Sequence, residues 1–394
     1  MNSYDWIVVG AGITGSALSY ELAKKGFKVL LLDPNPLLNN ATRYSYGGLA
    51  YWSGTTELTR TLCEEGKTYH QTLSQELGIN TELRELDLIL PFNFDIDPEI
   101  IAEKYRNFAT PPELITTQEA CELEPLLNPN GIGGAFTVRH GQISPEHLNT
   151  GYLQSFKNLG GTQIIDQVLQ INPRQNQAVS IKTRLGQYLA ENVAICAGGF
   201  TRQLLKNAGI SVPIYFTHTE ILETPPVDLK LQTIVMSAMM ERFQLEAKAT
   251  QPELEPLWEQ PGHELTPFMI DKSAAQLLDG RIRIGQPSRA LSDVNATVNL
   301  RESEDLIRQE IAKILPALAN LPAICYDCLV AFSSDSLPLI GTVADFDRIF
   351  LFSGFSNPLV FIPPLAKRFA NLITGQPDSI ITQLSPRRLI SNTR

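Results

Sequence analysis

Long hydrophobic runs are missing from this chain of 394 residues. No apolar stretch reaches the roughly 18 residues that a membrane span requires, so no spanning helix is expected. An excess of positive charge is missing too. Lys and Arg total 32 against 42 Asp and Glu, a formal net charge of −10, which argues against nucleic acid or an anionic membrane as the main partner. The five cysteines are odd in number and mostly scattered, which leaves out a disulfide framework. The five histidines (His70, His140, His147, His218, His263) have no ligand spacing, so no metal site is expected, and no Ser-His-Asp triad is visible. The apolar run Trp6 to Val9 stops at Gly10 with no basic residue before it. It does not read as an export signal, and a cytoplasmic location is expected.

What is present is ordinary globular composition, 43% hydrophobic and 19% charged, in a chain long enough for two interlocked domains. Residues 4–9 read as a buried parallel strand, 16–25 as a helix stopped by Gly26, and 29–32 as a second buried strand ending in Asp33. Between the first strand and the helix lies Gly10-Ala11-Gly12-Ile13-Thr14-Gly15. This is G-x-G-x-x-G in the βαβ context that gives the motif meaning. Gly10 permits the tight turn, Gly12 lets a pyrophosphate approach the backbone, and Gly15 lets helix and strand pack closely. The helix N-terminus offers free N–H groups and a positive dipole end to the phosphates. Asp33, eighteen residues after Gly15, can accept from adenosine ribose hydroxyls and disfavours a 2′-phosphate, which makes NADP a poor fit.

Farther along, helical periodicity covers 57–78, 117–124, 144–158 and 302–315, and a last helix is read at 364–374. Thr162 to Ile165 reads as a strand, 178–185 with 188–195 as a hairpin about Gly186, and 337–341 and 349–352 as short apolar strands. Residues 275–284 read as a hairpin with a two-residue Asp279-Gly280 turn. The segment 225–265, rich in Pro, Glu and Gln, fits either strands of a second domain or a mobile cover.

Together these segments resemble the FAD-dependent D-amino-acid oxidase family, in particular its glycine oxidase and sarcosine oxidase branch. VVGAGITGSALSYELAKKGFKVLLLD matches the FAD fingerprint, and ATRYSYGG (41–48), GQISPEHL (141–148), GGTQIIDQV (160–168), AICAGGFT (194–201), DSLPLIG (335–341) and FSGFSN (352–357) follow in the family's order. The resemblance implies an α/β fold of the GR2 type. A Rossmann-like FAD domain (1–80, 141–215, 325–394) is interleaved with an antiparallel-sheet α+β substrate domain (81–140, 216–324), and the flavin lies at their junction. The implied chemistry is oxidation of the C–N bond of a small amine or amino acid by hydride transfer to flavin N5, with oxygen or another acceptor taking the electrons. A dehydrogenase passing electrons to a quinone or carrier, or an FAD-binding protein without turnover, remains an alternative. Beyond the glycine loop and Asp33, the implied FAD contacts are Thr42, Arg43, Gly47, Gly48, Val168, Ala197, Gly198, Gly199, Gly354, Ser356, Asn357, Leu359 and Val360.

The departures from the family concern the substrate. Where glycine oxidase relatives carry an arginine for the substrate carboxylate, this chain has Val330, and Arg43, Arg60, Arg283 and Arg289 are candidates to replace it. Arg283 precedes Ile284-Gly285, where sarcosine oxidase relatives carry a lysine over the flavin. Arg281, Arg283 and Gly285 should share one strand face, so Arg283 either faces the flavin as a catalytic group or is a solvated hairpin residue. His218 either lines the substrate pocket or is structural. Cys328 lies seven residues before Asp335, the spacing of a covalent flavin cysteine in sarcosine oxidases. The alternatives are a buried core thiol or a C-x-x-C pair with Cys325, whose offset of three is poor geometry on a strand.

Overall fold

Each buried strand expected near the N-terminus finds a parallel neighbour in the computed structural model, which describes residues 3–172, 178–343 and 346–390. Ser3–Val9 lies between Val29–Asp33 and Gln187–Ile195, all parallel. Thr162–Ile165 extends the sheet beyond Val29–Asp33, and Phe346–Ser353 extends it on the other side, with Leu339–Val343 as an antiparallel edge. Strands buried on both faces need apolar residues at every position. Trp6 and Val8 pack under the helices Ile13–Lys24 and Pro358–Ile373, while Ile7 and Val9 pack the opposite way, towards Ile181, Leu205 and Ile210. This is a Rossmann-like α/β layer.

The second sheet runs in the order Ile324–Ser333, Ile214–Glu223, Ile282–Arg289, Met269–Gln276, Ile234–Val235, Arg84–Phe92, Gly134–Gln142, Gly48–Leu49. Its pairs are antiparallel except Ile234–Val235 against Arg84–Phe92, which is parallel. Two expected boundaries are corrected. Ile324–Ser333, read with the dinucleotide part, pairs along its whole length with Ile214–Glu223 and belongs to the second sheet. Gly48-Leu49, also read with that part, pairs with Gly141 and Gln142 in the same second sheet.

Local chemistry accounts for most element ends. Thr56 and Thr59 form a reciprocal capping box before Glu57–Leu77, and Pro145 opens Pro145–Asn158 behind the Ser144 cap. The 269–289 hairpin is present, but its loop is three residues and not two. The Leu277 amide bonds the Arg281 carbonyl at 2.8 Å, and Gly280 takes φ +91°. The segment 225–265 is built into the second sheet through Ile234–Val235, and its helix Glu241–Ala249 has Leu245 and Ala249 in the core.

The last long helix starts at Pro358 and runs through Pro363 and Pro364, six residues earlier than expected. A proline pair inside a helix removes two amide donors. The Leu359 carbonyl, left without its Pro363 partner, is met at 2.7 Å by Nε2 of His70. Gly66 lies so close that a Cβ there would sit 2.4 Å from the Val360 carbonyl oxygen. Burial pushes the His70 imidazole down to about 4 from 6.5, against a smaller upward pull from the Leu359 carbonyl. Unfolded chain therefore takes up this proton first. The stability His70 contributes is whole above pH 6.5 and is lost as pH falls towards 4. Compared with His70→Gln, which cannot titrate, the wild type should lose roughly 3 kcal/mol across that window. Denaturant unfolding of both proteins at the two ends of the window checks this, and a pH-independent gap between them would refute it.

Candidate active site

The glycine loop is shaped by close approach. Gly10 takes φ +104°, its amide bonds the Leu32 carbonyl, and a Cβ on it would lie 2.4 Å from the Cys196 carbonyl oxygen. A Cβ on Gly15 would meet the Gly10 carbonyl oxygen at 1.8 Å. The helix starts at Ile13, three residues earlier than expected, and its N-cap, Gly12, has no side chain to cap it. The first-turn amides therefore face the loop mouth. Thr42 Oγ1 accepts from the Ile13 amide at 3.0 Å, and Thr14 is half-buried beside it. Behind the loop, Asn149 accepts from Ser16 Oγ at 2.8 Å and donates to the Ala11 carbonyl. A helix whose N-cap is a glycine, a Cβ-free approach at Gly12 and an acid at the end of the next strand fit a dinucleotide.

Asp33 ends its strand as expected, and its carboxylate already accepts from the Ala11 amide at 2.7 Å and the Asn35 amide at 2.9 Å. It braces the glycine loop. Asp33→Ala should weaken FAD binding by about ten- to a hundredfold, the worth of one charge-assisted hydrogen bond of about 1.5–3 kcal/mol. Asp33→Asn, which keeps an acceptor, should lose less. Titration of the apoproteins with FAD measures both, and equal affinity for wild type and Asp33→Ala would remove Asp33 from the ribose site.

Other expected contacts gather around this loop. Ala197-Gly198-Gly199 turns out of Gln187–Ile195 directly beside Gly10, and Gly199 packs on Leu329 and Phe216. Val168 opens a strand two residues after Asp166, whose amide bonds the Asp33 carbonyl. Gly354 takes φ +80°, Ser356 Oγ donates to the Ser336 carbonyl, and Asn357 donates to the Ala50 carbonyl at 3.2 Å. Leu359 and Val360 are buried in the first turn of the helix that follows.

The 40–48 segment carries the site from one sheet to the other. Asn40 caps the 41–44 turn, and Gly47 takes φ +76°. A Cβ on Gly47 would strike the Ile143 carbonyl oxygen at 2.0 Å, and one on Gly48 would meet His140 Nε2 at 2.6 Å. Both glycines thus serve close passage past the second sheet. Arg43 is held by Glu223 through two bonds of 2.7 Å and by Glu146 at 2.8 Å. These bonds commit its guanidinium to carboxylates.

Arg283 is fully buried, which overturns the solvated-hairpin alternative. Its Nε donates to Glu223 at 2.9 Å, Nη2 to Glu146 at 3.2 Å, and Nη1 to the Ser45 carbonyl. Arg281 joins the same two glutamates. Close by, Tyr46 and Ser273 share a 2.7 Å hydrogen bond, and Ser273 Oγ donates to the Gly285 carbonyl. Sequence reasoning missed Glu146 and Glu223. Glu146 was legible only as part of a helix start, and Glu223 carries no motif.

His218, read as either catalytic or structural, is placed as a structural residue. Along Ile214–Glu223, Thr217, Thr219 and Ile221 pair with Val330, Cys328 and Tyr326. Ile221, Tyr326 and Cys328 pack with Tyr44 and Tyr46 beside the 40–48 segment. His218 alternates to the other face. It bonds the Asp293 carbonyl at 2.9 Å and packs against Phe216, on the side where Glu220 meets Ser303. Burial lowers its pKa. Strand parity therefore turns it away from the face that Tyr44 and Tyr46 cover.

Val330 faces Thr217, and none of the other arginine candidates replaces a guanidinium there. Arg60 bonds the Asn107 carbonyl, and Arg289 lies over Phe268 with Nε 3.4 Å from Glu220. Cys325 and Cys328 are free and point to opposite faces, Cys325 towards the core holding Leu222 and Cys328 towards that holding Ile221. Burial, with Asp327 and Glu220 adding to it, pushes the Cys328 thiol up to about 12. No helix among the described residues is long and apolar enough to cross a membrane, and no His, Cys, Asp and Glu group among them could hold a metal ion.

The model of the family described as FAD dependent oxidoreductase matches residues 5–372. The chain belongs to this family. FAD is therefore its cofactor. This FAD-dependent oxidoreductase is 24% identical to a glycine oxidase of Pseudomonas aeruginosa over 94% of each chain. It is 23% identical to 4-methylaminobutanoate oxidase (formaldehyde-forming) of Paenarthrobacter nicotinovorans, over 94% of this chain and 44% of that one. The chain spans 27%, 44% and 65% of the length of the first curated relatives it matches. Among solved structures, glycine oxidase from Geobacillus kaustophilus superposes with a TM-score of 0.78 at 20% identity, covering 98% of both chains, which shows the shared fold.

Proposed function

We propose that this FAD-dependent oxidoreductase oxidises the C–N bond of a small amine or amino acid at the junction of its two sheets, with oxygen or another carrier as electron acceptor. FAD, when bound, supplies the two-electron oxidation. The observation that carries the reading is the continuity of the 40–48 segment. One end closes on the glycine loop through Thr42, and the other reaches the second sheet through Ser45, Tyr46 and Arg283. A dinucleotide with its pyrophosphate on the loop and extended along this segment would bring its ring end towards Tyr46, Cys328 and Arg283. There the chain's own groups do the remaining work. Glu223 and Glu146 hold Arg283 in place, and Tyr44 and Tyr326 stack on one another at 4.7 Å beside Cys328. Thr217 and Val330 pair on the same sheet face, and neither side chain is a cation for a substrate carboxylate.

The experiment mixes yellow, purified protein with a panel of amino acids and N-methyl amines without oxygen. Bleaching by at least one amine is expected, and re-oxidation in air then separates oxidase from dehydrogenase. A protein that keeps its flavin colour against the whole panel would refute the reading. The same preparation, precipitated in acid, should release all of its FAD, because a thiol held protonated like that of Cys328 is a poor partner for a covalent link. Flavin retained in the pellet, and lost from it in Cys328→Ser, would show the opposite.

A further inference from the structure

Five charged side chains from separate parts of the chain meet beneath the 43–46 segment. Arg43 comes from that segment, Glu146 from the helix Pro145–Asn158, Glu223 from the end of its strand, and Arg281 and Arg283 from the 269–289 hairpin. Glu223 touches all three arginines: Arg43 at 2.7 Å, Arg283 at 2.9 Å and Arg281 at 3.2 Å. Glu146 touches the same three at 2.8, 3.2 and 2.7 Å. Asp279 meets Arg281 from the solvent side, with its side chain 45% exposed, so water and salt screen it. Counting Asp279, three guanidiniums face three carboxylates, but only Glu146 and Glu223 reach Arg43 and Arg283, so the part of the cluster next to the 43–46 segment is biased positive. Burial alone would raise Glu223, but the hydrogen bonds and charges of Arg43 and Arg283 hold it down at about 2, so it stays ionised.

Such a cluster is more than a strut. Arg283 and Arg43 differ little in what they could offer a ligand, since both guanidiniums are spent on carboxylates. What the cluster offers is its net charge, delivered through Arg283 to the Ser45 carbonyl and the segment beside it. A buried charge acts over several ångströms because little water screens it. Removing a carboxylate raises the cluster charge, and removing an arginine lowers it.

We propose that Glu223 is a positioning residue that fixes Arg283 and Arg43 against the 43–46 segment and sets the positive charge felt at the ring end of the FAD cleft. The inference rests on the reading that FAD occupies that cleft. Charge near the isoalloxazine shifts its reduction potential, because the reduced ring is the more negative form.

The test measures the flavin reduction potential, by equilibration with redox dyes, in flavin-loaded wild type, Glu223→Gln, Glu223→Asp and Arg281→Met. Glu223→Gln should move the potential positive, Arg281→Met should move it negative, and Glu223→Asp should restore most of the wild-type value. A merely structural role would lower thermal stability in all three variants without this ordering of signs. If Glu223→Gln does not fold, Glu146→Gln removes the same charge from a more exposed position and should shift the potential the same way. Yellow variants whose potentials stay at the wild-type value, or all move in one direction, overturn the inference alone. Wild type that binds no FAD overturns the reading beneath it.

Discussion

Gly15→Ala should purify colourless, with little FAD bound and stability reduced by at least about 3 kcal/mol, the upper range for overpacking a fitted core. The expectation follows from one distance. The added methyl would sit 1.8 Å from the Gly10 carbonyl oxygen, and that oxygen belongs to backbone that cannot rotate away. Gly10 is itself pinned by its amide bond to Leu32 and by its contact with the Cys196 carbonyl. Relief must therefore come from moving the helix away from the strand, which drags the first-turn amides off the phosphate position. Flavin absorbance per mole of protein, together with denaturant unfolding, measures the two effects. Full flavin content would show that the loop yields more easily than this packing allows.

Arg283→Met should damage both the structure and the chemistry. Removing a fully buried guanidinium leaves the Ser45 carbonyl without that donor and weakens the hold on two carboxylates, a loss on the order of 3–5 kcal/mol for a broken buried pair. Preorganised charge in such a site contributes roughly a hundred- to a thousandfold in rate. Flavin reduction by substrate and re-oxidation by oxygen, followed by stopped flow, should both slow in this variant. Arg283→Lys should behave differently. An ammonium keeps the charge but cannot form the three-way fork to Glu223, Glu146 and Ser45. Re-oxidation should recover towards wild type while stability does not. If thermal stability falls but neither half-reaction changes in either variant, Arg283 is a structural residue only.

Much of the dinucleotide half could be read directly from the sequence because its signals are local. The strand, glycine loop, helix and Asp33 occupy consecutive residues, and each is set by a steric rule acting within a few positions. Strand parity foretold that Cys325 and Cys328 would part company. It also foretold that Arg281 and Arg283 would act from one side, and both reach Glu223. The same alternation, applied to Thr217, His218 and Thr219, would have turned His218 away from the cleft, but it needed the identity of the facing strand. The charge cluster was not legible because Arg43, Glu146, Glu223 and Arg283 are far apart in sequence, and nothing in Glu146 or Glu223 marks them as partners of the two arginines. The helix through Pro363 was missed for a related reason. Proline ends most helices, and here a histidine from another helix takes over its missing bond.

The short pairing of Gly48-Leu49 with Gly141 and Gln142 has a consequence for how this chain reaches its native state. The polypeptide leaves the first sheet at Asp33, contributes to the second, returns at Thr162, and crosses over again before Leu339. Neither layer can close until distant stretches have arrived, so most of the ordering cost falls before the contacts that repay it. Slow refolding and a single, shared melting event are the natural behaviour of such a weave. For the same reason, cutting the gene at any one of these crossings would leave two fragments that each lack strands of their own sheet.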